Sequence, residues 1–498
     1  MKTLLVDPPF YRFIKYYNRY FPLGLAYLAG VLREQGHEVL IYDADANVER
    51  AKEMDFSFLE NKYEDYLSQV STLSHPIWNE FRTVLSEFKP EVVGISVFTT
   101  KAAGAFRAAE IVKVFNSSIP VVIGGPHPSV RAEESLRICP YVDFAIRGEG
   151  EISFSHLIEA IEKKNSYQAI DGLSYKSDGL VIHNRQAEFI RELDEISFPA
   201  RDLLFHKSAY TSEDMGLVMT GRGCPFACTF CSSAGVWRRI ARFRSIKNVV
   251  AEIRQVQEDF GCIQFAFKDD TFTIRSDRVL ELCREIRAAG LNIKWDCNAR
   301  ANLLDVPMLK EMKSAGCNGI KMGVESGSER IRQEIMKKGV TTEQIRHAAD
   351  IIRKANIHWT GYFMMGLPTE TKEEMLQTLN LMHEIMPDFA SLSVYEPFPG
   401  TILYDKGIRE NLFADSRNLY DYYSISPKYY YIKEFGTHIG TMSNDEFKEM
   451  EAFMKRRFHR HNCRFSGILK RGKARGALYH RNPLALVGDI RKFIAWIS

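Results

Sequence analysis

The sequence predicts an α/β protein with a doubly wound Rossmann-like N-terminal domain, a partial (β/α)6 barrel and a mostly helical C-terminal region. Two observations favour this class. Short apolar runs alternate with amphipathic helical segments over the first 160 residues, which is typical of parallel strands buried on both faces. Six further strand–helix repeats span about 200 residues, which favours a partial barrel over a second open sheet. We expect domains at 1–160, 209–400 and 401–498, with a linker at 161–208.

The first domain has five predicted strands, and its ligand loops should lie at their carboxyl ends. Residues 50–88 read as a polar, helical insertion. The predicted strands are Thr3–Pro9, Glu38–Asp45, Val92–Thr99, Pro120–His127 and Asp143–Glu151. In the linker, Ser177-Asp178-Gly179 predicts a hairpin turn between two short strands.

The barrel strands follow, and polar residues cluster at their carboxyl ends, where a barrel keeps its chemistry. These strands are Leu217–Gly221, Ile263–Lys268, Ile293–Asn298, Gly319–Val324, Trp359–Met365 and Ala390–Tyr395.

Three of the nine cysteines stand in a C-x₃-C-x₂-C spacing directly after the first barrel strand, as Cys224, Cys228 and Cys231. Thiolates at this density select iron–sulfur clusters or zinc. A structural zinc site needs four closed ligands, and the nearby candidate for the fourth is His206, which has no paired spacing. A [4Fe–4S] cluster on three thiolates would keep one iron open for a ligand, which is a catalytic arrangement.

The loop GCPFACTFCSSAG resembles the signature of the radical S-adenosylmethionine (SAM) enzymes. In that family SAM binds the open iron, and one-electron reduction cleaves it to methionine and a 5′-deoxyadenosyl radical. The aromatic Phe230 before the third cysteine matches the family form. A methylthiotransferase shares the spacing but carries a second cysteine trio upstream, and only Cys139 precedes Cys224 here.

Strand-end motifs extend the resemblance to the SAM contacts. In KDDTF, Asp269 and Asp270 stand where the family binds the SAM amino group, with a turn or helix cap as the alternative. Arg300 in DCNAR resembles an arginine near the SAM carboxylate, with a surface salt bridge as the alternative. Glu325 and Ser326 in GVESG resemble the ribose and carboxylate contacts.

The motif GLPTET looks like the family's loop beside the adenine, which assigns a SAM contact to Gly366. Thr369 stands where glycine is commoner, and Thr371 could instead cap the next helix.

The N-terminal domain looks like the cobalamin-binding domain of one branch of the radical SAM enzymes. The resemblance of GGPHPS and RGEGE to motifs of that branch assigns cobalamin contacts to six residues: Gly124, Gly125, Pro126, His127, Gly148 and Glu149. The D-x-H-x-x-G motif with its cobalt-binding histidine is absent, because DPPFYRF follows the first strand. For His127 a structural role is favoured over cobalt ligation.

The resemblance implies a radical SAM enzyme with a [4Fe–4S] cluster, SAM and cobalamin, which methylates an unactivated carbon. Cyclisation, rearrangement or oxidoreduction without methyl transfer is the alternative. A non-catalytic metal scaffold is a third interpretation. The implied partners are a small-molecule or lipid-like substrate and an electron donor of the flavodoxin or ferredoxin type.

The C-terminal tail is strongly basic, with twelve Lys or Arg and the single acid Asp489 from Lys455 to Ser498. Its last residues, from Leu484 to Ile497, read as an amphipathic helix, either on an anionic membrane or packed on the barrel. No RNA-binding motif accompanies it, so nucleic acid is not expected. The start has no signal peptide and the sequence has no transmembrane run, so we expect a cytoplasmic protein with membrane contact as an option.

Overall fold

The computed structural model describes residues 1–16, 21–49, 63–432, 442–464 and 487. It forms two compact units that do not follow chain order strictly. The first contains 1–215, 235–238 and 397–433, and the second contains 216–234, 239–396 and 434–498. Among the described residues, no helix has the length and apolar character needed to cross a bilayer.

The first unit is built on a seven-stranded sheet of order β2-β1-β3-β4-β5-β6-β7. The strands are β1 Lys2–Asp7, β2 Glu38–Asp43, β3 Val92–Ser96, β4 Val121–Gly124, β5 Phe144–Ile146, β6 Leu173–Ser177 and β7 Leu180–His183. The first five are parallel, and the predicted hairpin β6–β7 extends the sheet in antiparallel fashion. The doubly wound fold is therefore confirmed.

In the described part of this unit, six helices flank the sheet: α1 Leu23–Glu34, α2 Tyr63–Ser71, α3 Pro76–Phe88, α4 Ala102–Phe115, α5 Pro126–Ile138 and α6 Gly150–Lys163. The predicted end of the fourth strand at His127 is wrong. The strand ends at Gly124, and His127 lies in the first turn of α5. Gly125 makes the turn with a φ of 102°, a conformation that favours glycine.

The second unit is a six-stranded parallel sheet of order β15-β14-β13-β12-β11-β8, as expected for a partial barrel. Its strands are β8 Leu217–Val218, β11 Gln264–Phe267, β12 Lys294–Ala299, β13 Cys317–Glu325, β14 His358–Met365 and β15 Phe389–Val394. A short antiparallel ladder of β9 Gly221–Arg222 and β10 Arg242–Phe243 follows the first strand. The predicted first strand is thus split in two.

The helices of this series are α7 Ser233–Trp237, α8 Ile246–Phe260, α9 Ser276–Ala288, α10 Val306–Ser314, α11 Thr342–Lys354 and α12 Lys372–Ile385. Capping boxes start α11 at Thr341 and α12 at Thr371, so the helix-cap alternative for Thr371 is correct. One face of the sheet is apolar and buried against these helices, with Trp295, Trp359 and Phe267 each about 1% exposed or less.

The C-terminal region contains α13 Ile402–Arg409, α14 Leu419–Ser424 and α15 Asn444–Asn462. The segment that carries α13 and α14 belongs to the first unit, although it follows the barrel in sequence. Helix α15 packs on β15, and its Phe458 ring contacts Phe363 at 5.2 Å. The proposed amphipathic segment from Leu484 to Ile497 lies outside the described residues, apart from Val487.

Candidate active site

The cysteine loop follows β9, and Thr229 holds it in place through two hydrogen bonds. The Thr229 amide donates to the Met336 carbonyl at 2.9 Å, and its hydroxyl donates to the Ile335 carbonyl at 2.5 Å. These carbonyls belong to a π-helical turn, Ile331–Ile335, and the residue after it. Such turns recur at functional sites, and here the turn fixes the loop against the end of β13.

The three cysteines are free thiols and partly exposed. The Cys231 amide donates to the Cys228 carbonyl at 3.3 Å, and the Cys224 sulfur lies 3.7 Å from the Thr271 hydroxyl. Within the described ranges, no three His, Cys, Asp or Glu side chains converge on one metal ion. A cubane cluster does not require such convergence, since each thiolate binds a different iron, so the donor set fits a [4Fe–4S] cluster. His206 instead lies 3.0 Å from Glu80, which disfavours the alternative of a zinc site that uses this histidine.

Arg300 adjoins the cysteines at the end of β12. Its Nη1 donates to the Cys228 sulfur at 3.7 Å, and its guanidinium stacks on the Phe226 ring at 3.9 Å. Nε donates to the Asn302 side chain at 2.9 Å. Because Arg300 is only 8% exposed, the surface salt-bridge alternative is wrong, and the guanidinium can meet a carboxylate beside the cluster loop.

The two aspartates of KDDTF have different surroundings. Asp269 is buried and accepts hydrogen bonds from the amide and hydroxyl of Thr220, so it supports the strand that leads into the cysteine loop. Burial raises its pKa to about 6. Asp270 is exposed and accepts from the Ser233 hydroxyl at 2.7 Å, which leaves Asp270 as the better candidate for an ammonium contact.

Glu325 is the most constrained residue of the site. It ends β13 at an irregularity in pairing with β14, and its φ is 68°, which is rare for a residue other than glycine. The Lys338 ammonium donates to its Oε1 at 2.6 Å. A Cβ at Gly323 would lie 2.2 Å from that oxygen, so a larger residue there would displace the Glu325 carboxylate. Strained conformations of this kind collect at functional sites.

Ser326 and Gly327 have structural roles beside Glu325. The Ser326 hydroxyl is fully buried and lies 3.3 Å from the Thr378 hydroxyl. A Cβ at Gly327 would lie 2.2 Å from the Gln377 carbonyl of α12. Gly327 therefore permits close packing of α12 against this loop.

The GLPTET loop is closed by a buried carboxyl group. Glu370 accepts from the amides of Gly366 at 2.7 Å and Leu367 at 3.2 Å. Burial raises its pKa to about 8. Thr369 has a φ of 66°, which explains why glycine is commoner there, and a threonine in this conformation is strained.

The remaining SAM candidate, Phe230, is half-buried in the cysteine loop between Thr229 and Cys231. Neither Lys338 nor Thr229 was identified from the sequence. Lys338 follows the similar Lys337 in MKKG, and only the fold distinguishes the buried lysine from its exposed neighbour.

The predicted cobalamin residues lie at the carboxyl edge of the first sheet. A Cβ added at Gly124 or at Gly148 would meet no atom within 4 Å. A Cβ added at Gly125 would lie 3.2 Å from the Val97 carbonyl oxygen. Phe98, just after β3, is 51% exposed. Two open glycines beside an exposed aromatic ring leave room for a planar macrocycle, so this edge fits cobalamin.

The other three cobalamin candidates are less open. His127 is fully buried, its Nδ1 lies 3.2 Å from the Thr99 hydroxyl, and burial lowers its pKa to about 3. This supports the structural role favoured from the sequence. Glu149 accepts from the Ile190 amide at 3.0 Å, and Pro126 begins α5.

Asp7 ends β1, just before the loop in which the cobalt-binding histidine would stand, and belongs to a buried charge cluster. The Lys101 ammonium lies 2.7 Å from Asp7 and 2.9 Å from Asp45. Tyr210 donates to Asp43, whose pKa is raised to about 8 by burial and by the charge of Asp7. These contacts occupy the ends of β1 and β2 and leave the Gly124 side of the edge open.

The first unit has a parallel sheet with an open edge at two glycines, and the barrel has three thiols beside a buried arginine. Together these features are typical of one class, the cobalamin-domain enzymes that use an iron–sulfur cluster and SAM. Two family models agree, since the B12 binding domain matches residues 12–158 and the Radical SAM superfamily matches residues 218–382. The chain is 35% identical over 430 residues to an uncharacterized methyltransferase of Pyrococcus horikoshii, covering 86% of this chain and 87% of the relative. The chain therefore belongs to the radical SAM enzymes with a B12-binding domain.

The chain is similar to two further proteins. It is 28% identical to the anaerobic magnesium-protoporphyrin IX monomethyl ester cyclase of Cereibacter sphaeroides, over 80% of this chain and 61% of the relative. The radical SAM methyltransferase TsrM from Kitasatospora setae, solved with tryptophan and a SAM analogue, has the same fold. That match has a TM-score of 0.64 at 18% identity and covers 84% of this chain and 77% of TsrM. The cofactors of the family are a [4Fe–4S] cluster, SAM and cobalamin.

Proposed function

We propose that the protein methylates an unactivated carbon of a small-molecule substrate. The observation that carries this proposal is the pairing of both domain models in a chain that aligns over 86% of its length with a relative named as a methyltransferase. When bound, the cluster and SAM supply a hydrogen-abstracting radical, and cobalamin supplies the methyl group.

The residues of the barrel take distinct roles in this proposal. Cys224, Cys228 and Cys231 hold the cluster, and Thr229 fixes their loop. Arg300 binds the SAM carboxylate, because a buried guanidinium beside Cys228 can make a bidentate contact there. Phe230 packs against the bound SAM.

Three further elements orient the rest of SAM. Asp270 accepts from the amino group, and Glu325, held by Lys338, accepts from the ribose hydroxyls. The loop at Gly366 faces the adenine and is kept closed by Glu370. In the first unit, Gly124 and Gly148 leave the space that cobalamin occupies.

A direct test is anaerobic incubation of the reconstituted protein with SAM, cobalamin, a one-electron reductant and candidate substrates. Methyl transfer yields S-adenosylhomocysteine together with 5′-deoxyadenosine. A Cys228→Ala variant should form neither product above background, because the cluster loses one of its three protein ligands. Equal 5′-deoxyadenosine in both proteins would contradict the proposal.

A second candidate function, radical cyclisation or oxidation without methyl transfer, is favoured by the similarity to the Cereibacter sphaeroides cyclase. The same incubation separates the two functions. Formation of 5′-deoxyadenosine without S-adenosylhomocysteine, with cobalamin present, would support this candidate over methylation.

We further propose an electron donor of the flavodoxin or ferredoxin type, since the cluster needs single electrons.

Membrane contact through the basic tail is tested by liposome flotation of the full-length chain and of a truncated chain. The truncated chain should end after Arg464, because Phe458, His461 and Asn462 of α15 are buried and contribute to packing on β15. Equal flotation of both chains on anionic liposomes would contradict the contact.

A further inference from the structure

The strand pairing of the barrel separates the sheet into two chemically different faces. Residues opposite one another in parallel strands point to the same side. Asp296 pairs with Gly319, Asn298 with Lys321, and Lys321 with Thr360. Alternate residues, such as Trp295 and Ile320, are buried against the helices. The face away from the helices, here called the inner face, is therefore lined by Lys268, Asp296, Asn298, Lys321, Tyr362 and Ser391.

On the inner face Lys321 pairs with Asp296, and the charges of both residues act on a second lysine, Lys268. The Lys321 ammonium donates to Oδ1 of Asp296, and the two side chains are 30% and 26% exposed. Burial acts to lower the pKa of Lys321, but the charge of Asp296 and the hydrogen bond to it outweigh this effect and raise the pKa. Lys268 lies near both residues. Burial and the charge of Lys321 lower the pKa of Lys268 to about 8, although Asp296 acts in the opposite direction.

The inner-face positions next to Lys321 on β13 are glycines, so β13 contributes no other side chain beside this lysine. On β13 the inner positions on either side of Lys321 are Gly319 and Gly323, and a Cβ at Gly319 would lie 2.9 Å from the Asp296 Cβ. At the amino end, the side chains of Gln264 and Asn318 hydrogen-bond at 3.0 Å. Barrels usually fill this volume with branched apolar residues, so partly exposed charged groups here indicate a ligand site.

We propose that the inner face binds an anionic group of the substrate, a carboxylate or a phosphate, between the ammonium groups of Lys268 and Lys321. Asp296 holds Lys321 in place, so that its ammonium group is pre-positioned before the substrate binds. An anion beside them offsets the repulsion between the lysines, and the attraction is strengthened because the groups are partly buried. The proposal rests on the proposed function, since it assigns a substrate class to the same enzyme.

The test measures acylation of Lys268 by trace acetic anhydride at about pH 8 in the anaerobic holoenzyme with SAM bound. The probes are inorganic phosphate and acetate, and the reference is the exposed Lys247 of α8 in the same digest, quantified by mass spectrometry. A bound anion raises the pKa of Lys268 and shields it, so we expect its labelling to fall about threefold or more, saturably. Protection by phosphate alone or acetate alone assigns the group.

Two variants make the result specific. Lys321→Met should abolish the protection, whereas Lys310→Met, an exposed lysine of α10, should retain it. The ratio with and without anion is compared within each protein, because loss of Lys321 also raises the pKa of Lys268. Lys321→Gln repeats the test if the methionine variant is less stable.

Two outcomes would overturn the inference: no protection by either anion, or equal protection in the Lys321 variants. Formation of 5′-deoxyadenosine is measured on the same preparations. If it forms without anion protection, the radical step of the proposed function stands and this inference fails. If 5′-deoxyadenosine does not form in protein that holds the cluster and SAM, the proposed function itself fails.

Discussion

The Lys338 ammonium lies 2.6 Å from Oε1 of Glu325, and Glu325 holds a left-handed backbone conformation with a φ of 68°. Both side chains are largely buried, at 9% and 12% exposure. A charged hydrogen bond in such surroundings fixes the orientation of the carboxylate. We therefore infer that Lys338 is a positioning residue that acts on SAM through Glu325.

Replacing Lys338 by Met should weaken SAM binding about tenfold or more, since a hydrogen bond to a charged group contributes about 1.5–3 kcal/mol. Lys338→Arg should restore part of the affinity. Equilibrium dialysis of SAM against the cluster-loaded protein measures the change, and the cluster absorbance should not differ. The control is Lys337→Met, the same replacement at an exposed position. Equal weakening by both methionine variants would contradict the role.

Glu370→Gln should flatten the fall of stability with pH. The folded-state pKa of Glu370 is about 8, above the ordinary value of 4.5, so the folded protein keeps a proton that the unfolded chain releases. Its contribution is complete below about pH 4.5 and is lost as the pH rises through about 8. Asp43 and Asp269, whose pKa values are also raised, act in the same direction.

The measurement for Glu370 is the denaturation midpoint at about pH 6 and about pH 8.5. Glutamine keeps an oxygen that accepts from the Gly366 amide but cannot ionise. The difference between the two midpoints should be smaller in Glu370→Gln than in the natural protein. The exposed Glu373→Gln on α12 should leave it unchanged. An unaltered slope in Glu370→Gln would mean that the carboxyl group does not titrate in this window.

Gly124→Leu should reduce cobalamin affinity at least tenfold and leave the denaturation midpoint nearly unchanged. The reason is that a side chain at Gly124 meets no protein atom within 4 Å, yet would fill the space assigned to the macrocycle. Titration with hydroxocobalamin, followed by absorbance, measures the affinity. Gly24→Leu is the matched control, because Gly24 also faces open space but lies in α1. Unchanged binding in Gly124→Leu would refute the assignment of this edge.

Gly327→Ala should destabilise the barrel by about 1–3 kcal/mol, because the new methyl group would overlap the Gln377 carbonyl on α12. Gly24→Ala should be neutral or slightly stabilising, since alanine favours a helix. Denaturation midpoints of the two variants measure the difference. A stable Gly327→Ala protein would show that α12 can move away from the loop.

The strand–helix order was predictable because apolar runs and amphipathic segments are local patterns. Apart from the first, which is split, each predicted barrel strand lies within about two residues of its observed bounds. The error at His127 has a local cause, since Pro126 and Pro128 do not prevent a first helical turn, where proline is tolerated. No local pattern predicts that the segment around α14 belongs to the first unit. Tyr422 of this segment is buried against side chains about 300 residues away in sequence, such as Glu134.

The sequence by itself determined the cysteine loop, the strand-end motifs and hence the enzyme class, since ligand spacing and short motifs are carried by consecutive residues. The tertiary structure decided which of those residues face a ligand. It assigned Asp269 to Thr220 and Gly327 to helix packing, and it brought Lys338 to Glu325. It also placed Lys268, Asp296 and Lys321 on one face. Strand register and the turn at β13 determine these contacts, and both depend on pairing between segments distant in sequence.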